Sequence, residues 1–513
     1  MKSNLLGVDI GSGSCKVCVL DEAGSYVGSA SKEYSPLCPR PGWFEQDPMD
    51  WFRAFTDCLR ALSVEFAVDP GSIIAVAATG QMKGATFIGR SGQVVRPTIL
   101  WNDLRNAAEV RDLKASHGDL LSEISFNPFN TTSTLAKALW LQRNEPRCWE
   151  ETSRIVFPKD FIAYTLTGNL QTDVTEASAY CFFNARTQQW WPDDVFQRLG
   201  FPKEKLPEVR RSTDVIGTVS KKASEATGLR AGIPVAAGGS DATVESLSIG
   251  LVGTSQCKIR LGTAGALVTV IKNLDCVEKG KYYVWSYLFP DTWMLDNNTR
   301  SCAQATTWFR NVFLKEVESS GAAFERIAGE AAEIPPGAEG LFFHPYLLGE
   351  DSPYWDSRLR GSFFGFQAGH SRAHFARAVY EGTAFALRDA RSGFGKLADE
   401  FSEYLLVGGG TRNPVWTSII CDVLGVDAKI LPHSDASLGA CMLAGICASA
   451  FSGTEEAIRS CVGTERWVRC SPERHRIYEE LFNTYREMKK TLDGAYAIPG
   501  FSDGSRSEMG RQR

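Results

Sequence analysis

The chain has 513 residues, too many for one ordinary domain, so two or more large domains are expected. Hydrophobic residues make up 43% and charged residues 22%, which supplies large packed cores and excludes global disorder. The formal net charge of −5 lacks the basic bias that nucleic-acid or membrane partners select, so neither partner is expected.

At the N-terminus Asp9 interrupts the apolar run that begins at Leu5-Leu6, too early for the core of a signal peptide. No stretch approaches the roughly 18 apolar residues of a membrane-spanning helix, and a cytoplasmic protein is expected. The opening reads strand, turn, strand. Leu5 to Ile10 is mostly apolar, Gly11-Ser12-Gly13-Ser14 is turn chemistry, and Val17 to Leu20 resumes the apolar run. Cys15 and Cys18 form a CxxC, but positions three apart on a strand face opposite sides, and no second CxxC exists to complete a zinc site. The 14 cysteines are scattered and read as reduced core residues.

Asp47-Pro48 marks a helix start, with Asp47 as N-cap, Pro48 at the first helical position, and Trp51, Phe55, Leu59 and Leu62 following at helical spacing. Ile73 to Ala78 is a buried strand. Strands alternating with helices imply an α/β architecture. The opening pattern returns at Cys257–Leu261, Gly262-Thr263-Ala264-Gly265 and Leu267–Ile271, suggesting a duplicated plan. The expected division is 1–245, 246–496 and a polar, glycine-rich disordered tail over 497–513.

Three motifs carry candidate chemistry. In the first, Asp9 ends a strand and Gly11-Ser12-Gly13-Ser14-Cys15-Lys16 follows. Backbone amides of such a turn approach phosphates, Lys16 would reach one, and Asp9 would hold magnesium through water. An ordinary hairpin with a surface lysine has the same pattern. In the second, Pro234 to Gly239 runs into Ser240-Asp241. Asp241 at a strand end suits a general base, or else caps the next helix. In the third, Leu405-Leu406-Val407 runs into Gly408-Gly409-Gly410, whose bare backbone would lie against a nucleotide or merely turn. The rival nucleotide signature is missing. A P-loop continues Gly-Lys with Ser or Thr, whereas Gly280-Lys281 continues with Tyr282 and Gly395-Lys396 with Leu397.

These motifs, in this order, resemble the FGGY family of carbohydrate kinases from Leu6 to about Leu492. The most specific stretches lie closest to its xylulokinase branch. They are Gly42-Trp43-Phe44-Glu45-Gln46-Asp47-Pro48, Gly80-Gln81-Met82-Lys83-Gly84-Ala85-Thr86, Leu100-Trp101-Asn102-Asp103, Pro158-Lys159-Asp160-Phe161, and Leu166-Thr167-Gly168 with Thr172-Asp173. A family signature runs from Gly361 to Phe366, continuing at His374-Phe375 and Ala378-Val379-Tyr380-Glu381. A second, at Lys137 to Leu141, is matched imperfectly, with Ala138 in place of a larger apolar residue.

The resemblance implies two actin/Hsp70/hexokinase-like (ribonuclease H-like) domains flanking a catalytic cleft, the first binding sugar and the second ATP. It also implies transfer of phosphate from ATP, with Mg2+, to a small sugar or polyol, D-xylulose foremost. Asp241 would be the base and Asp9 would lie near the metal. Gln81, Met82, Lys83, Trp101 and Asn102 would line the sugar pocket with Asp241. Ser12, Gly13, Lys16, Gly262, Thr263, Gly409, Gly410 and Asn413 would contact ATP. A homodimer is compatible with this reading. Two positions depart from the xylulokinase pattern: Lys83 replaces a histidine and Ala242 an asparagine. Lys83 would suit a sugar acid or polyol, or turn aside to pair with a carboxylate. Trp101 would stack on sugar or pack in the core.

Overall fold

The computed structural model describes residues 3–127, 129–315, 320–431, 434–463 and 466–496. The tail expected at 497–513 lies outside them. The chain divides into two compact units, Met1–Val252 with Ile271–Met294 and His433–Gly463, and Gly253–Val270 with Leu295–Pro432 and Thr464–Arg513.

The first unit is built on six strands: β1 (Asn4–Ile10), β2 (Ser14–Asp21), β3 (Tyr26–Glu33), β4 (Ile73–Gly80), β5 (Val215–Thr218) and β6 (Pro234–Ser240). Their order is β5-β6-β4-β1-β2-β3. The expected hairpin is β1 with β2, antiparallel, pairing Asp9 with Lys16. β4 runs parallel to both β1 and β6. These central strands are nearly continuously apolar because helices cover both faces. On one face lies α1 (Pro48–Glu65). Asp47 accepts the Met49 N–H at 2.9 Å as its N-cap, and Trp51, Phe55, Cys58, Leu59 and Leu62 bury against the sheet. Cys15 lies against Cys58 of this helix, and Cys18 against Cys441 of α2 (Ala436–Cys447). The CxxC thus points two ways, as its spacing requires. All 14 cysteines are free thiols, but only eight are core residues: Cys148, Cys447, Cys461 and Cys470 are half-buried, and Cys38 and Cys276 are exposed.

Helix α2 comes from the last quarter of the chain, yet it packs on β1 and on the helix Asp241–Ser248. Two glycines allow that approach. A Cβ on Gly7 would stand 2.0 Å from the Ser437 carbonyl, and one on Gly439 would stand 2.1 Å from the Val244 carbonyl. The helix start, Asp435, is thereby brought to the hairpin.

The second unit repeats the plan. Strands β7 (Gln256–Leu261) and β8 (Gly265–Ile271) form an antiparallel hairpin. β9 (Glu403–Val407) runs parallel to β7, and β10 (Ala428–Ile430) parallel to β9. No helix among the described residues is long and apolar enough to cross a membrane.

Candidate active site

In the first unit the register of three adjacent parallel strands decides where side chains collect. Ile10 pairs with Gly80, and Gly80 with Ser240. β1, β4 and β6 therefore end at one edge, which carries Asp9, Gln81 and Asp241. The carboxyl edge of parallel strands is where open α/β sheets bind ligands.

Asp9 keeps some exposure there, but its Oδ1 is sealed from solvent with no hydrogen-bond partner. Burial, then the charges of Asp241, Asp435 and Glu245, push its carboxyl up to about 8, against the opposing pull of Lys16. Lys16 does not stand free as a surface lysine: its ammonium pairs with Asp435. Asp435 also caps α2, accepting the Ser437 N–H at 2.8 Å. Asp241 is the first residue of its helix, behind the N-cap Ser240, and accepts the Ala242 N–H at 2.8 Å.

The phosphate turn and the sugar-side residues meet in one network. Ser12 Oγ donates to Gln81 Oε1 at 3.1 Å and accepts from Trp101 Nε1 at 3.1 Å. Gln81 Nε2 donates to Gln46 Oε1 at 2.9 Å, and Gln46 Nε2 to the Ser12 carbonyl at 2.7 Å. Trp101 is 43% exposed, so it is not core packing. Asn102 Oδ1 is buried without a partner. Gly13 faces open space.

Lys83 follows half-buried Met82 in a turn, at φ 65°. Its ammonium donates to Thr132 Oγ1 at 3.1 Å and lies 4.9 Å from the Tyr283 ring and 4.8 Å from the Trp285 ring, which stack on each other. Nearby Lys137 is fully buried and donates to the Thr132 carbonyl at 2.6 Å. Burial, then Lys83, lower its ammonium to about 7.

In the second unit Gly262 and Thr263 follow β7, and Gly408-Gly409-Gly410 follow β9, again at one sheet edge. A Cβ on Gly410 would meet Trp416 at 2.6 Å and Leu261 at 2.7 Å, so packing demands glycine there. Gly409 meets nothing within 4 Å and presents bare backbone. Asn413 caps the helix Pro414–Leu424, accepting the Val415 and Trp416 N–H groups at 3.1 Å, and its amide donates to the Tyr380 hydroxyl at 2.8 Å. Both ends of that side chain serve the fold.

Sequence reasoning missed Asp435, Glu245, Gln46, Thr132, Tyr283, Trp285 and the buried charge of Lys137. For Asp435 a signal existed: an Asp before a small-residue run, Ala436-Ser437-Leu438-Gly439-Ala440, marks a helix start that packs closely.

Comparison with known proteins agrees with this architecture. Residues 4–248 match the model of the FGGY family of carbohydrate kinases, N-terminal domain, and residues 252–448 that of its C-terminal domain. The chain is 31% identical over 503 residues to the xylulose kinase of Lactococcus lactis subsp. lactis (strain IL1403), covering 97% of this chain and 99% of that one. It is 24% identical over 496 residues to the gluconokinase of Bacillus subtilis (strain 168), covering 95% and 94%. A crystal structure of a "xyloylose kinase" from Brucella ovis is 26% identical and superposes with a TM-score of 0.87, covering 96% of this chain and 100% of that one. The actin/hexokinase-like fold of such kinases is the fold of this protein. The chain belongs to the FGGY family of carbohydrate kinases and is a sugar kinase.

Proposed function

We propose that the protein transfers the terminal phosphoryl group of ATP to D-xylulose, giving D-xylulose 5-phosphate. The substrate rests on the near full-length similarity to the xylulose kinase of L. lactis. The mechanism rests on one observation, the meeting of Asp9, Gln81 and Asp241 at the carboxyl edge of β1, β4 and β6.

Phosphoryl transfer asks the protein for alignment and charge neutralisation. Asp241 orients the sugar hydroxyl and takes its proton as the oxygen attacks phosphorus, and ADP departs with the bonding pair. Gln81 braces the pocket by holding Ser12 and Gln46, the unpartnered Asn102 Oδ1 meets a sugar hydroxyl, and exposed Trp101 offers an aromatic face. The amides of Ser12 and Gly13, and those of Gly262-Thr263, serve phosphate oxygens, while Gly409 lies against the nucleotide. The sealed, unpartnered Oδ1 of Asp9 fits a hydrated magnesium ion, which when bound neutralises phosphate charge. Among the described residues no three His, Cys, Asp or Glu side chains converge as a direct ligand set, and a hydrated ion needs none. On this reading residues 1–245, joined by Ile271–Met294 and His433–Gly463, carry the sugar, and the rest of 246–496 the nucleotide.

A specific feature favours a second reading, an aldonate substrate. The half-buried Lys83 presents an ammonium where an anionic carboxylate would be welcome, with buried Lys137 close behind it. One relative is a gluconokinase.

Asp241→Asn keeps the shape and loses the base. Its kcat with D-xylulose should fall about 10²- to 10⁴-fold with KM for ATP unchanged. Wild-type turnover in this variant would remove Asp241 from the reaction.

A further inference from the structure

We propose that Thr175 is the positioning residue for Asp241, acting through the backbone amide of Ser240. The inference rests on the reading of Asp241 as general base.

Strand β6 reaches Asp241 through an irregularity. Its pairing with β4 shifts register between Ala236 and Gly239, and Gly238 sits at φ 74°. A bulge of this kind re-aims the residues that follow it, and pairing with β4 resumes at Gly239 and Ser240. A side chain adds a second hold at that point. Ser240, the last residue of β6 and the N-cap of the Asp241 helix, donates its N–H to Thr175 Oγ1 at 2.8 Å.

The polarity of that bond is set from behind. Asp173 Oδ2 accepts the Thr175 hydroxyl at 2.7 Å, the Thr175 N–H at 2.9 Å and the Ser212 hydroxyl at 2.8 Å. With its proton committed to a carboxylate, Thr175 Oγ1 can serve Ser240 only as an acceptor. Asp173 is held in turn by Lys159, whose ammonium lies 3.1 Å from Asp173 Oδ1 and donates to Asp160 Oδ1 at 2.6 Å. Lys159 also donates to the Ala237 carbonyl at 3.0 Å, gripping β6 within the bulge itself. Thr175, Asp173, Lys159 and Ser240 are all fully buried, so water cannot replace a lost partner.

Glu176 completes the arrangement. It is fully buried, and neither carboxyl oxygen has a hydrogen-bond partner. Burial first, and then Asp160, Asp173 and Asp241, hold its carboxyl far above the ordinary range against the pull of Lys159. The same burial disfavours a negative charge on Glu176 beside the base. The brace thus grips the backbone inside the bulge and again just beyond it, and its hydroxyl bond fixes the amide next to Asp241.

The test is a double-mutant cycle on the whole enzyme, with circular dichroism and a thermal melt for every variant. Thr175→Val keeps the shape and removes the acceptor. It should lower kcat about 10- to 100-fold, the scale of a small misplacement of a reacting group, with KM for ATP unchanged. Thr175→Ser keeps the hydroxyl and should restore kcat. In the Asp241→Asn background, Thr175→Val should cost less than about twofold further, because both act through one group. Wild-type kcat in Thr175→Val, or equal losses in the two backgrounds, would overturn the proposal. If Thr175→Val does not fold, Thr175→Ala lacks the same acceptor and takes its place in the cycle. Wild-type turnover in Asp241→Asn alone would instead overturn the general-base reading, so the two failures are distinct.

Discussion

Lys83 is the residue whose surroundings say most about substrate choice. A lysine in the left-handed region is uncommon and is held there by its surroundings. Here the holders are the Thr132 hydroxyl and the stacked faces of Tyr283 and Trp285, which attract an ammonium through their π-electrons. An ammonium donates and cannot accept; an imidazole does either. Lys83→His should therefore move selectivity toward D-xylulose and away from D-gluconate. The size follows from one unmatched buried polar group, roughly 1–3 kcal/mol or about 5- to 150-fold in the ratio of kcat/KM values. An unchanged ratio would mean that Lys83 serves only the local fold.

Among the elements, the glycine turn after β9 separates packing from binding within three residues. Gly410 is pressed against Trp416 and Leu261, so Gly410→Ala should overpack the turn and cost about 1–3 kcal/mol of stability. Gly409 meets open space, so Gly409→Ala should leave the melting temperature in place. If its backbone faces the nucleotide, KM for ATP should rise in that variant. Unchanged KM for ATP and unchanged melting temperature together would move the nucleotide away from Gly409. Elements of this kind were legible in the sequence wherever their cause is local. Asp47-Pro48 with its periodic apolar residues specified α1, and both glycine-rich hairpins specified the paired strands that open each unit. Asp9 and Asp241 were visible because strand ends that lead into small residues are local patterns. What was not legible depends on chain segments far apart. Asp435 reaches Lys16 only because Gly7 and Gly439 let α2 approach closely, and no spacing within the first 20 residues reveals that. Tyr283 and Trp285 reach Lys83 across 200 positions. The capping role of Asn413 was locally readable, since Asn before Pro is helix-start chemistry, but the glycine triplet drew attention to ligand binding instead.

For the whole molecule, two units built on one plan each end their parallel strands on small residues, and each gathers its candidate ligand-contacting groups at that edge. The first gathers carboxylates, amides and an aromatic face suited to a polyhydroxylated acceptor. The second gathers bare backbone suited to phosphates and a nucleotide. Such a protein should turn over ATP only when an acceptor hydroxyl is present. The most direct measurement is kcat/KM for ADP release with D-xylulose, D-ribulose, xylitol and D-gluconate, each against a sugar-free control. Release should depend on the sugar, with D-xylulose ahead of the others by about tenfold or more, a difference near 1.4 kcal/mol in the barrier. ADP release no faster than the sugar-free control with D-xylulose, or faster with D-gluconate than with D-xylulose, would contradict it.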